Sequence, residues 1–226
     1  MKIGLIVAIE TDSIFAYYGD VIPLPCPAGF QLYRTEKNDT DIFILRTGMG
    51  EIAAASGVQY LITACGAERI VNFGVVGGLT AEMGKQKVCV IDRVVHYKYD
   101  CSEFLPLKIG QVDGHDSVYL PTDPDLSEKA LAVRPDLKKA TCCSGDKFVA
   151  TAEEKAQIHL AFDGDVCDME SAGIVLTCEA NGIPCLLLKA VSDGLADGAK
   201  GFFEELFDAS FLCLKTLDEI INCLIA

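Results

Sequence analysis

Pro184-Cys185-Leu186-Leu187-Leu188-Lys189-Ala190-Val191 is the most apolar strand-like run in the chain, and Ser192-Asp193 follows it at once. Runs of the same kind, rich in Val, Ile and Leu, recur at Ile3 to Ala8, Ile42 to Arg46, Arg69 to Phe73 and Lys87 to Val95. Each reads as a strand. Helical patterns lie between them: Ile52 to Ala64 carries Ala and Leu at helical spacing, Thr151-Ala152-Glu153-Glu154 has the form of a capping box, and Glu170 to Ala180 forms a third. The last segment sets Phe203, Leu206, Phe207, Leu214, Leu217, Ile221 and Leu224 at helical spacing with charges between them, a core or interface helix rather than a membrane span.

Alternating strands and helices predict a three-layer α/β fold: a central mixed, largely parallel, twisted β-sheet flanked by helices. The sequence shows no internal repeat, low-complexity tract or long polar linker, so residues 1–226 are expected to form a single domain. In such sheets ligands collect at the carboxyl ends of the strands, where loops and helix N-termini converge.

With 226 residues, half of them hydrophobic, the chain is long enough to bury a sizeable core. A formal net charge of −14 and five scattered arginines exclude nucleic acid as an expected partner. Met1 to Ile9 is apolar but short, and Glu10 and Asp12 follow with no cleavage site, so it reads as a buried first strand rather than a signal. Most of the eleven cysteines sit in apolar runs, as free thiols do in a reducing cytoplasm. No Cys-x-x-Cys pair occurs and the three histidines are far apart, so no metal is expected.

Six strand exits carry polar or glycine-rich segments: Ala8-Ile9-Glu10-Thr11-Asp12, Arg46-Thr47-Gly48-Met49-Gly50, Asn72-Phe73-Gly74-Val75-Val76-Gly77-Gly78, Ser144-Gly145-Asp146-Lys147-Phe148-Val149, Cys167-Asp168-Met169-Glu170-Ser171 and Lys189-Ala190-Val191-Ser192-Asp193. Taken singly they read as helix caps, tight turns and a core phenylalanine, and neither glycine-rich exit has the spacing of a dinucleotide fingerprint or a P-loop. Taken in order, they resemble the 5′-methylthioadenosine/S-adenosylhomocysteine nucleosidases of the purine nucleoside phosphorylase superfamily, from Met1 to the final helix. Asp-Met-Glu-Ser and Val-Ser-Asp are the most specific parts of the match.

The resemblance implies a nucleoside phosphorylase-like fold and cleavage of the glycosidic bond of a purine nucleoside without a cofactor. It implies that Asp193 meets the purine at N7 and the exocyclic amine, that Glu170 holds the ribose hydroxyls, and that Asp12 takes the place of the family's water-activating glutamate, with Glu10 as the alternative. Met169 is expected against the sugar, Phe148 and the Val149 backbone around the base, and Met49 and Phe203 in the 5′ pocket. Val76, Gly77, Asp168, Lys189 and Ser192 complete the expected substrate-binding set. A homodimer is implied as well, with the loop holding Phe104 and Leu105 near the partner's site.

Breaking this bond leaves an oxocarbenium-like sugar and a poor anionic leaving group, so catalysis needs a proton on the base and a nucleophile at the anomeric carbon. Three residues depart from the family pattern: Asp12, Lys189 in place of an arginine, and Val75 in place of a small hydroxyl residue. Lysine keeps the charge but loses the planar fork. Phosphorylases of the superfamily place an arginine where this chain has Asn72, which favours water as the nucleophile. Phosphorolysis through Lys189 and the Gly48–Gly50 loop, and a binding protein without catalysis, remain the alternatives.

Overall fold

The computed structural model describes residues 1–225; Ala226, the last residue of the expected 1–226 domain, lies outside the described residues. Strand β1 (Lys2–Val7) is buried from Ile3 onward, and α1 (Thr11–Tyr18) follows it. Next come β2 (Ile22–Leu24), β3 (Gln31–Lys37) and β4 (Thr40–Arg46), then α2 (Glu51–Tyr60). A π-helical turn, Leu61–Cys65, extends α2 to Gly66. Strands β5 (Arg69–Gly78), β6 (Val88–His96) and β7 (Leu120–Pro121) precede α3 (Pro124–Val133) and β8 (Lys138–Ser144). The chain then alternates α4 (Ala152–Phe162), β9 (Val166–Asp168), α5 (Ser171–Asn181), β10 (Cys185–Asp193) and α6 (Gly198–Ile225).

The ten strands form one mixed sheet, ordered β10-β6-β8-β9-β5-β1-β4-β3-β2, with β7 on β6. Strand β10 also pairs in parallel with β5, so β5, β9, β8, β6 and β10 close into a ring from which β1, β4, β3 and β2 extend. Strand β10 is buried at every position, polar ones included. Its side chains alternate between faces as the pleat requires. Leu186, Leu188 and Ala190 pack with α1, α3 and α6, whereas Cys185, Leu187 and Val191 pack with α2 and α5. Along α6, Ala209, Cys213, Leu214, Leu217, Ile220, Ile221 and Leu224 have no exposed surface. Each of the larger ones stabilises the fold by about 1.5–3 kcal/mol.

The capping box at residue 151 is half formed: Thr151 Oγ1 accepts from Glu154 N at 3.2 Å, but the Glu154 carboxylate pairs with Lys147 at 2.6 Å instead of reaching back. Strand β5 runs on past Phe73 through a glycine-rich stretch because the backbone there still pairs with β10 and β9. No helix among the described residues is long and apolar enough to cross a membrane.

Candidate active site

The carboxyl ends of β1, β5 and β10 point the same way, since all three are parallel neighbours through β5. The exits of β4, β8 and β9 join them around a half-open cavity. Its walls include Glu10, Met49, Val75, Val76, Gly77, Phe148, Val149, Asp168, Met169, Glu170 and Asp193.

At the end of β1 the structure corrects the expectation for the first acid. Asp12 lies in the first turn of α1, exposed and outside the cavity, whereas Glu10 is only 6% exposed and lines it. Helix α1 begins at Thr11, so residue 10 is the cap that folds back over the strand end while residue 12 has already turned outward. The Glu10 carboxylate accepts backbone N–H groups from Ala8 at 3.0 Å, Ile9 at 2.8 Å and Val75 at 3.2 Å. Val75 thus offers its backbone where its side chain has no hydroxyl.

Glu170 stands at the N-cap position of α5, and its Oε1 accepts not from that helix but from Gly50 N at 2.9 Å. Gly50 has φ of 102°, a left-handed conformation that favours glycine and that aims its N–H at the carboxylate. Burial, with the neighbouring Asp168 charge, pushes the Glu170 carboxyl up to about 7. Asp168 itself is held ionised below the usual range by Lys189 and by the Ser171 hydroxyl, against the cost of its burial. Lys189 reaches Asp168 at 2.8 Å and is 2% exposed; it sits behind the cavity wall rather than in it.

Asp193 lines the cavity at the end of β10, and both of its carboxylate oxygens are engaged. Oδ1 accepts from Ser192 Oγ at 3.0 Å and Oδ2 from Lys155 Nζ at 2.6 Å. Ser192 is wholly buried, so it acts here on Asp193 and the Val76 carbonyl and does not line the cavity. Gly77 leaves space for this cluster: a Cβ there would lie 3.2 Å from Asp193 Oδ2 and 3.4 Å from Lys155 Nζ.

The aromatic wall also differs by one residue from expectation. Phe203 is 74% exposed and outside the cavity, whereas Phe202 lines it and meets Phe148 edge to face at 5.4 Å. Successive helical residues point about 100° apart, so a register error of one residue on α6 exchanges wall for solvent. Asn72 is buried within β5, where its Nδ2 donates to the Ile6 carbonyl at 2.9 Å, and it is not part of the wall. Phe104 is 75% exposed, and neither it nor Leu105 lines this chain's own cavity.

The sequence reading missed Phe202, Lys147 and Lys155. Lys155 shares the buried face of α4 with Ile158 three residues on. Among the described residues no cluster of His, Cys, Asp and Glu could hold a metal ion.

The sequence pattern of the Phosphorylase superfamily matches residues 2–212. A 5′-methylthioadenosine/S-adenosylhomocysteine nucleosidase from Haemophilus ducreyi is 29% identical over 199 residues, 85% of this chain and 85% of that protein. The S-adenosylhomocysteine nucleosidase from Streptococcus pyogenes, solved in complex with 5-methylthiotubericidin, superposes with a TM-score of 0.91 at 25% identity, covering 99% of this chain and 97% of that one. Futalosine hydrolase of Helicobacter pylori superposes with a TM-score of 0.92 at 23% identity, covering 98% of this chain and 97% of that one. With the fold, the exits that build the cavity and a match along nearly the whole length in agreement, the chain belongs to the Phosphorylase superfamily.

Proposed function

We propose that the protein is an N-glycosyl hydrolase that cleaves 5′-methylthioadenosine, S-adenosylhomocysteine or both, releasing adenine, and that residues 1–226 act as one catalytic domain. The observation that carries this reading is the charge pattern of the cavity. Glu10, Glu170 and Asp193 face it, while the two buried cations beside it are committed, Lys189 to Asp168 and Lys155 to Asp193, and the half-exposed Lys147 pairs with Glu154. A phosphate dianion would meet carboxylates without a buried counter-charge, whereas a neutral water needs a base.

In this scheme Glu10, fixed by three backbone N–H groups, orients and deprotonates the attacking water. Glu170 accepts from the ribose hydroxyls, an interaction that strengthens as positive charge develops on the sugar. Asp193 serves the base at N7 and the exocyclic amine. The Phe148 and Phe202 rings, already edge to face, offer the purine an apolar wall. Met169 lies on the sugar side and Met49 toward the 5′ substituent. No cofactor enters the scheme.

The exposed Phe104 and the adjacent Leu105 belong to a loop proposed to close the 5′ pocket of a second copy in a homodimer. The reducing cytoplasm is the proposed compartment, in keeping with eleven free cysteines. The test is base release from a nucleoside panel: adenine should appear from methylthioadenosine and adenosylhomocysteine, and preferred turnover of futalosine or of unmodified purine nucleosides would displace the substrate assignment.

A further inference from the structure

Lys155 is the most completely buried charged side chain next to the cavity, at 0% exposure. Its ammonium contacts Asp193 Oδ2 at 2.6 Å, the Gly194 carbonyl at 2.7 Å and the Asp193 carbonyl at 3.3 Å, which uses all three of its N–H groups. A buried ion pair gives little stability over an apolar contact of the same volume, so stability alone is a weak reason to keep a lysine here. What distinguishes this pair is its place, since Asp193 also forms the cavity wall.

We propose that Lys155 is a positioning residue for the leaving base: its ammonium holds the Asp193 carboxylate at the cavity wall and supplies the proton that Asp193 passes to purine N7. The inference rests on the nucleosidase reading above. As the C1′–N9 bond breaks, its electron pair moves onto the purine. A proton passes from Lys155 Nζ to the Asp193 carboxylate, and one passes from that carboxyl group to N7. The base leaves as neutral adenine, and Lys155, left as an amine, regains its proton from solvent once the products depart.

The surroundings permit this. The Cys167 thiol on β9 faces the pair, and burial pushes it up to about 12, so it stays uncharged. Glu154, the neighbour on α4, is neutralised by Lys147. Asp197, on the loop after β10, accepts from Gly194 N at 2.8 Å and closes the turn that brings the Gly194 carbonyl to Lys155. From β5 the contact is Gly77, which carries no charge.

The test is the pH profile of adenine release by the parent enzyme and by Lys155→Met, each checked for folding by circular dichroism. The variant should lose about 10²-fold or more in kcat near neutral pH with KM little changed, and it should recover part of the loss only at acid pH, where solvent can protonate Asp193. A profile merely scaled down at every pH, or unaltered activity, would overturn the proposal. Should the variant not fold, Lys155→Arg decides: the guanidinium keeps the charge but gives up no proton, so kcat should still fall about 10²-fold, and near-normal turnover would overturn the proposal. A parent that releases no base from any nucleoside would defeat the nucleosidase reading itself and this proposal with it.

Discussion

Lys189 Nζ lies 2.8 Å from Asp168 Oδ2 with both side chains buried, so one cation is fully committed to one acid and Glu170, two residues away, has none of its own. That relationship explains why Glu170 is pushed up to about 7 although a lysine is near: burial and the Asp168 charge outweigh Lys189 and the Gly50 N–H.

Activity should therefore rise with pH through about 7, as Glu170 loses its proton and becomes able to accept from the ribose hydroxyls. Glu170→Gln should lower kcat/KM by about 10–100-fold, the value of a charge-assisted hydrogen bond, and should remove this rising limb. Kinetics from about pH 5 to 9 check both, and a rising limb that survives in the variant would assign it to another group.

The same group sets a trend in stability. Its folded value is raised above the ordinary 4.5, so its contribution is fully present below about 4.5 and is lost as pH rises through about 7. Glu170→Gln should accordingly gain in melting temperature relative to the parent at about pH 8 but not at about pH 5. An equal shift at both pH values would contradict the assignment.

Removing the cation of the buried pair should be costly. Lys189→Met leaves Asp168 charged and without its partner, at about 3–5 kcal/mol of stability. Denaturant unfolding measures this, and a loss below about 1 kcal/mol would mean that Asp168 finds another donor or takes up a proton.

Glu10 and Asp12 separate by the same kind of comparison. Glu10→Gln should reduce kcat by about 10²–10⁴-fold if the carboxylate is the base for water, whereas Asp12→Asn, exposed on α1, should leave turnover within about twofold. The reverse outcome would restore Asp12 to the site.

The layered α/β architecture was legible because the buried strands announce themselves by composition, as β1 and β10 do. Strand β3, Gln-Leu-Tyr-Arg-Thr-Glu-Lys, and β8, opening Lys-Lys, were not, because polar residues dilute the apolar signal in both. Most of the cavity wall was legible from the order of the exit segments. The errors at Asp12 and Phe203 are errors of side-chain direction on a helix, where a step of one or two residues turns a group from cavity to solvent and composition carries no signal. Lys155 was missed because a single lysine among Glu153, Glu154 and Gln157 reads as a solvated helix face until the fold brings it to Asp193.

Asp193→Asn tests the proton path from the other side. An amide hydrogen-bonds but supplies no acidic proton, so base release should fall by about 10²–10⁴-fold with the fold intact. Near-normal turnover would remove Asp193 from the chemistry.

The central claim is that water attacks the anomeric carbon, and the sugar product decides it. Purified enzyme supplied with methylthioadenosine should release adenine and 5-methylthioribose at a rate indifferent to added phosphate. A 1-phosphate sugar as the main product, formed only when phosphate is present, would contradict the account.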